Sequence, residues 1–437
     1  MRVVFSAAIV ILALLLRDAS ATETTLTIGT VNNGDMLRMR TLSADFTAKN
    51  PSIKLKWVTL EENMLRQRVT LDIATRGQQF DLVTIGSYEV PIWAARGWLA
   101  PLNGLSKELD TADYIPSIRD ALSLNGSLYA SPFYAESSML FYRKDLAQKA
   151  GLHFPQYPSW DFINSAARKM TDRRAGVYGI CLRGKAGWGE NVALVTAIAN
   201  SYGARWFDQR WNPQFDKPEW RTALVEYSTL LKQYGPPGAT SSGFNDNLAL
   251  FSAGKCAMWL DATVAASFLT DPRESTVASK VGFAFAPSSG VGKSANWLWI
   301  WSLAIPTQSK NYDAAAKFLA WASGHSYTSL VAKTYGWSNV PPGTRLSLYE
   351  NPAYLSAAPF AQLTLASILA ADAKRPTVKP VPYTGVQYVA IPEFQGLGTT
   401  VGQDFSATIS GSTTVDQALK NAQNSTTRIM RHAGYLK

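Results

Sequence analysis

Histidine and cysteine are scarce. The 437 residues hold only three His (His153, His325, His432) and two Cys (Cys181, Cys256). The histidines stand far apart, so a metal centre with short His/Cys ligand spacing is not expected, and no cofactor is implied. Charge is also sparse, at 17% of residues, against about 25% in ordinary globular domains. Lys and Arg outnumber Asp and Glu, for a formal net charge of +10. They are scattered among acids, with no basic tract of five or more. That pattern describes a solvated surface, not a partner for nucleic acid or an anionic membrane. Beyond the first residues, no apolar run approaches the roughly 20 positions needed to span a bilayer. There is no internal repeat and no low-complexity tract.

The exception is the N-terminus. Met1-Arg2 precedes an apolar stretch from Val3 to Leu16, followed by Arg17-Asp18 and Ala19-Ser20-Ala21. A short positive head, a short apolar core and a small-x-small site read as a secretory signal peptide. Cleavage is expected after Ala21, without a Cys for lipid attachment. Export would let Cys181 and Cys256 form a disulfide; two buried thiols fit the sequence equally well. The remaining chain exceeds the 250–300 residues or so at which single cores stop growing, so two domains are expected.

Local patterns point to α/β structure. Thr25 to Thr30 alternates as a strand, and Asn32-Asn33-Gly34-Asp35 is a turn that can cap the next helix. Asn50-Pro51 ends that helix. Ile53 to Val58 is a second strand, Met64 to Ile73 a helix, and Phe80 to Ile85 a third strand. This β-α-β-α-β order predicts a mostly parallel sheet. Ligands of such sheets sit beyond the carboxyl ends of the strands. There the sequence places Asn33, the Tyr88-Glu89 pair, and Tyr134 to Ser137. A second α/β pattern follows: a helix from Ser159 to Met170, with Ser159 able to cap it, strands over Val177–Leu182, Lys255–Leu260 and Val281–Phe285, and helices between them. Trp297, Trp299 and Trp301 then share one face of a further strand by period-two spacing.

Several stretches together resemble the extracellular solute-binding proteins of ABC importers, the group that includes maltose-binding protein. They are Phe80–Ile85; Pro132 to Leu146, with Glu136 at its centre; Pro158-Ser159-Trp160-Asp161; Gly254 to Trp259; and Trp301 to Ile305. More narrowly, TVNNGDM, TIGSYEVPIW, CLRGKAGWGEN and MWLDATVAASF are similar to the sorbitol/mannitol-binding branch. The resemblance implies a two-lobe, periplasmic-binding-protein-like type II fold with crossover hinge strands. Residues 22–133 and 303–338 would form the N-terminal lobe, and 134–302 and 339–437 the C-terminal lobe. It implies a periplasmic monomer without enzymatic activity. That monomer would carry a linear polyol (mannitol, sorbitol or arabitol) to transmembrane permease subunits. A mono- or oligosaccharide ligand is the alternative within the family.

A polyol site needs charged groups that bond hydroxyls and aromatic faces for the C–H side. Glu136, set in an apolar stretch, is either a hydroxyl acceptor or half of a structural ion pair. Asp261 is either an acceptor or a helix cap. Arg183 is a donor fork or an interlobe salt bridge, and Lys185 a weaker candidate. Tyr88, Trp188, Trp299, Trp301 and Trp337 are candidate walls, and Asn33 and Glu89 carry over from cleft-facing loops of the family. Trp297 reads as packing. Outside the family, Glu136 and Asp261 would suit an exported glycosidase with two carboxylates. Gly290-Val291-Gly292-Lys293-Ser294 ends like a phosphate-binding loop, but Pro287 stands where that motif requires its first Gly.

Overall fold

A computed structural model describes residues 23–436. The expected signal peptide, residues 1–21, lies outside the described residues. Among the described residues ten strands form: β1 Thr24–Val31, β2 Ile53–Leu60, β3 Leu82–Gly86, the two-residue pair β4 Ser123–Leu124 and β5 Ser127–Leu128, β6 Ser131–Glu136, β7 Ser138–Arg143, β8 Met258–Ala262, β9 Val281–Phe285 and β10 Trp299–Ala304.

The first sheet has the order β2-β1-β3-β10-β6. β1 pairs parallel with β2 and β3. Parallel neighbours need a crossover, and the helices Gly34–Lys49 and Glu62–Ala74 supply it. The first helix begins where Asn33 Oδ1 accepts from the Met36 amide at 3.0 Å, and it stops at Asn50, ahead of Pro51, a residue whose ring disfavours helix before it. Its Phe46 packs edge-on against Phe318, with ring centroids 5.1 Å apart, on the helix Tyr312–Ser323. β10 runs antiparallel between β3 and β6.

The second sheet, β8-β7-β9, is wholly antiparallel. Only Ser137 separates β6 of the first sheet from β7 of the second, and the chain returns between Phe285 and Trp299. β6 and β10 therefore lie entirely in the first sheet. The boundaries expected at 133/134 and 302/303 cut through both strands. Helices Phe244–Ser252 and Ala361–Ala370 pack on the second sheet, and helices Trp160–Met170, Ala193–Ser201, Pro218–Tyr234, Phe394–Ser410 and Val415–His432 pack on one another in the same lobe. Ser159 caps Trp160–Met170 by accepting from the Phe162 amide. Much of the tryptophan is core. Trp206 is fully buried, with Phe215, Phe394 and Trp220 ring centroids at 4.9, 5.0 and 5.8 Å.

The stretch 177–182 departs from the expected strand. It lies beside β8 but pairs only through isolated bridges, Tyr178 with Cys256 and Cys181 with Trp259. Gly179 packs so tightly on the Ala167 carbonyl that a side chain would not fit, and the chain turns away into a loop. Cys181 and Cys256 are joined as a disulfide, with Cα atoms 5.8 Å apart.

Candidate functional site

A cavity of about 470 Å³ lies between the two sheets. It opens beyond the carboxyl ends of β1, β2 and β6, where open α/β sheets place their ligands. From the first sheet come Asn33, Glu61, Glu62, Tyr134 and Glu136. The loop after residue 182 brings Arg183, Lys185, Trp188 and Glu190, and β10 with its lead-in brings Trp297, Trp299 and Trp301.

One wall is built around Arg66. Its guanidinium carbon sits 3.9 Å from the Trp188 ring centroid, 4.7 Å from Trp299 and 5.1 Å from Trp301. Cation–π contact of this kind strengthens when water is excluded, and Arg66 is buried. Three of its five N–H groups are engaged. Nη2 and Nε donate to Glu62 Oε1 at 2.8 and 3.3 Å, and Nη1 to Glu89 Oε1. The three indoles thus share one face with an internal cation and expose the rest to the cavity.

Across the cavity stands Arg183. Nε and Nη2 grip Asp261 at 3.1 and 2.6 Å, and Nη1 donates to the Gly189 carbonyl at 2.9 Å. A guanidinium carries five N–H bonds, so this pairing fixes the plane and leaves donors over. Lys185 bridges the cleft, donating to Glu61 Oε1 at 2.5 Å. Asn245 Nδ2 does the same at the rim, donating to the Asn32 carbonyl at 2.8 Å.

Glu136 is left without a donor, and so is one oxygen of Glu190. Glu136 is 5% exposed and forms no hydrogen bond to another described residue. Burial pushes its pKa well above the usual carboxylate range, Arg183 opposes this, and Asp261, Glu62 and Asp35 add to it. Glu190 Oε1 lies 3.4 Å from Lys185 Nζ, while Oε2 lies 3.9 Å from Arg183 and has no hydrogen-bond partner. Burial, with Glu62 nearby, raises the Glu190 pKa to about 7. The Trp297 Nε1 is buried and unpartnered as well. Unsatisfied buried groups are costly, and their convergence on one space marks where a ligand's polar groups fit.

The structure sorts the sequence-predicted residues. Asn33, Glu136, Arg183, Trp188, Trp299 and Trp301 line the cavity, as does Lys185. Asn33 spends Oδ1 on its helix cap and donates from Nδ2 to Tyr134 Oη at 2.9 Å. Four others do not line it. Tyr88 is buried behind Trp188, ring centroids 5.0 Å apart, and donates to the Ile391 carbonyl. Glu89 is consumed by Arg66 and the Gly86 amide. Trp337 sits on a 3-10 turn away from the wall. Asp261 is fully buried behind Arg183, its oxygens taken by Arg183, the Trp259 indole and the Ala262 amide. It neither caps a helix nor faces a common space with Glu136, so the two carboxylates of the glycosidase reading do not meet. Lys293 of the phosphate-loop-like stretch donates to the Arg375 carbonyl.

Sequence reasoning missed Glu61, Glu62, Arg66, Glu190 and Gln387. Glu61 and Glu62 directly follow β2, a strand-end position that could have flagged them. Arg66 is one helical turn beyond Glu62. Gln387 clasps Leu298 through both its amide atoms, and nothing in its local sequence announces this.

Comparison with known proteins agrees with this architecture. Residues 34–328 match the family described as bacterial extracellular solute-binding protein. The chain is 57% identical over 413 residues to the mannitol-binding protein of Pseudomonas aeruginosa, covering 94% of each chain. A solute-binding protein of an ABC transporter from Agrobacterium vitis S4, solved with bound D-mannitol, is 64% identical. It superposes with a TM-score of 0.94 over 95% of this chain and 100% of that one. One from Agrobacterium radiobacter, in complex with ribitol, is 26% identical with a TM-score of 0.82, over 94% and 99% of the two chains. With a matching family over most of its length, two sheets joined by paired crossings and a polar, tryptophan-walled cavity between them, this chain belongs to the bacterial extracellular solute-binding proteins.

Proposed function

We propose that this protein is the solute-binding component of an ABC importer, exported by its N-terminal signal and binding a linear sugar alcohol of the mannitol class in the interlobe cleft. The observation that carries this reading is the cavity wall itself. Glu136, the Glu190 Oε2 and the Trp297 Nε1 converge with the free donors of Arg183 on a space flanked by three indoles. A chain of hydroxyls donates and accepts in turn, and its C–H face suits aromatic walls. The likeness to the mannitol-binding and ribitol-bound proteins supports the same class.

The lobes would divide near Ser137 and ahead of Trp299, with both crossings as hinges. Ligand would stabilise the closed arrangement through its greater affinity for that state, aided by Lys185–Glu61 and Asn245–Asn32 across the cleft. The closed form then docks on the permease subunits and releases the solute chemically unchanged. The test is calorimetry and thermal melting with D-mannitol, D-sorbitol, D-arabitol, ribitol and maltose. Ligand at 100 times its dissociation constant adds about 2.7 kcal/mol of stability. Stabilisation by a hexitol and its recovery intact is the expected result. Response to maltose alone would move the assignment to an oligosaccharide, and turnover of a glycoside would refute the carrier reading.

A further inference from the structure

The ladder of β10 runs out at the cavity. Trp299 is the first residue of that strand to pair with β6, opposite Glu136, and pairing with β3 starts only at Trp301, opposite Gly86. Leu298, one step earlier, is buried on the return crossing. A buried backbone N–H and C=O need partners, and one side chain supplies both. Gln387 Oε1 accepts from the Leu298 amide at 3.2 Å, and its Nε2 donates to the Leu298 carbonyl at 2.9 Å. A single amide, 89 residues further along the chain, takes the place of a neighbouring strand.

The residue held in this way joins two walls. Trp297, before it, has its ring centroid 5.6 Å from the Arg183 guanidinium carbon; Trp299, after it, lies 4.7 Å from that of Arg66. Both indoles line the cavity. Gln387 is anchored on either side: the Val386 carbonyl accepts from Asn200 Nδ2 at 2.7 Å, on the helix Ala193–Ser201, and Tyr388 Oη donates to Ser87 Oγ at 3.3 Å, just past β3. Trp297 Nε1 has no partner in the protein, so its aim matters, because a hydrogen bond weakens steeply off-line. We infer that Gln387 is a positioning residue for the ligand: by completing the ladder at Leu298 it sets the Trp297 and Trp299 indoles, and through them the affinity of the cleft. The inference rests on the polyol reading of the cavity.

Two variants test it. Gln387→Met keeps the length of the side chain and neither bond. Gln387→Glu can still accept from the Leu298 amide; ionised, it sets a negative charge against the Leu298 carbonyl, whereas the neutral acid donates to it as the amide did. A carboxyl at 387 shares the cavity with Glu136 and Glu190, which together with burial favour the neutral acid, and with Arg66, Arg183 and Lys185, which favour the charge. D-mannitol is titrated calorimetrically at pH 5 and pH 8, below each protein's melting temperature, and every dissociation constant is divided by that of wild type at the same pH. Gln387→Met is expected to bind at least about tenfold more weakly at both pH values, the scale of a broken buried hydrogen bond. Gln387→Glu is expected to show such a loss at pH 8 and a deficit at least about threefold smaller at pH 5, where protonation restores the donor. The near-ultraviolet circular dichroism of unliganded Gln387→Met is expected to depart from wild type in the indole bands. Affinity of Gln387→Met within about twofold of wild type, an equal Gln387→Glu deficit at the two pH values, or superimposable indole bands overturns the inference. If Gln387→Glu does not fold at pH 8, Gln387→Met decides. If wild type does not bind mannitol, the polyol reading falls, and the indole bands alone decide whether Gln387 sets the two walls.

Discussion

Replacing Gly189 with alanine tests whether the cleft must close to hold its ligand. Gly189 belongs to the loop of the second lobe, and an added Cβ would stand 2.0 Å from Glu62 Oε1 of the first. The glutamate cannot simply swing aside, because Arg66 holds that same oxygen at 2.8 and 3.3 Å, and Arg66 is itself buried and fixed by Glu89. Moving it sacrifices a hydrogen bond between charged groups, worth about 1.5–3 kcal/mol. At 1.4 kcal/mol per decade that is a loss of about 10- to 150-fold in affinity. The clash exists only while the lobes are together, so the open, unliganded protein escapes it. The dissociation constant for D-mannitol, measured by calorimetry, should rise by that factor while the melting temperature without ligand stays within a degree or so of wild type. A dissociation constant within twofold of wild type would refute the argument. An equal loss of unliganded stability would place the contact in the core of one lobe instead of between two.

Asp261→Asn strips Arg183 of its buried counter-charge. Breaking such a pair costs about 3–5 kcal/mol, so both the melting temperature and mannitol affinity should fall. Glu136→Ala should weaken mannitol binding by about 1–3 kcal/mol through a lost hydrogen bond, with Glu136→Gln closer to wild type because burial already favours the neutral acid; calorimetry on both variants decides this. Burial raises the Glu190 pKa from 4.5 to about 7, so folding takes up a proton there. The stability this contributes is complete below pH 4.5 and is lost as the pH climbs through about 7. Thermal melts of the closed, mannitol-bound protein should therefore show a decline over that window that Glu190→Gln removes. Reducing Cys181–Cys256, which encloses a separation of 75 residues, should cost on the order of 4 kcal/mol if chain entropy governs, read as a drop in melting temperature with a reductant.

The parts of this fold that obey local rules could be read from the sequence. The Asn32–Asp35 turn caps its helix, through Asn33, and Ser159 caps where its position predicts, Val281–Phe285 is the strand expected, and the period-two spacing of Trp297, Trp299 and Trp301 puts all three indoles at the cavity. Packing, however, overruled Trp297 as mere filling. What failed depends on pairing between distant residues. Glu89 has the right position after a strand, but Arg66, 23 residues earlier, takes its carboxylate. Asp261 has the right strand, yet alternation turns it toward Arg183, 78 residues away, instead of toward the cleft. The missed residues share this character: Glu190 and Gln387 lie at the cavity because of long-range packing, on which a window of neighbouring residues is silent.

The order of strands in the first sheet also governs when that sheet can exist. β10 lies between β3 and β6, yet its residues follow the whole of the second sheet, β7 to β9, in the chain. A polypeptide that emerges N-terminus first, from a ribosome or a membrane channel, thus completes its later sheet before its earlier one. Until residues 299–304 arrive, β3 and β6 keep unpaired edges facing each other. Exposed edges of this kind invite association with other chains, so the first third of the molecule must be shielded or held extended until the last third is made.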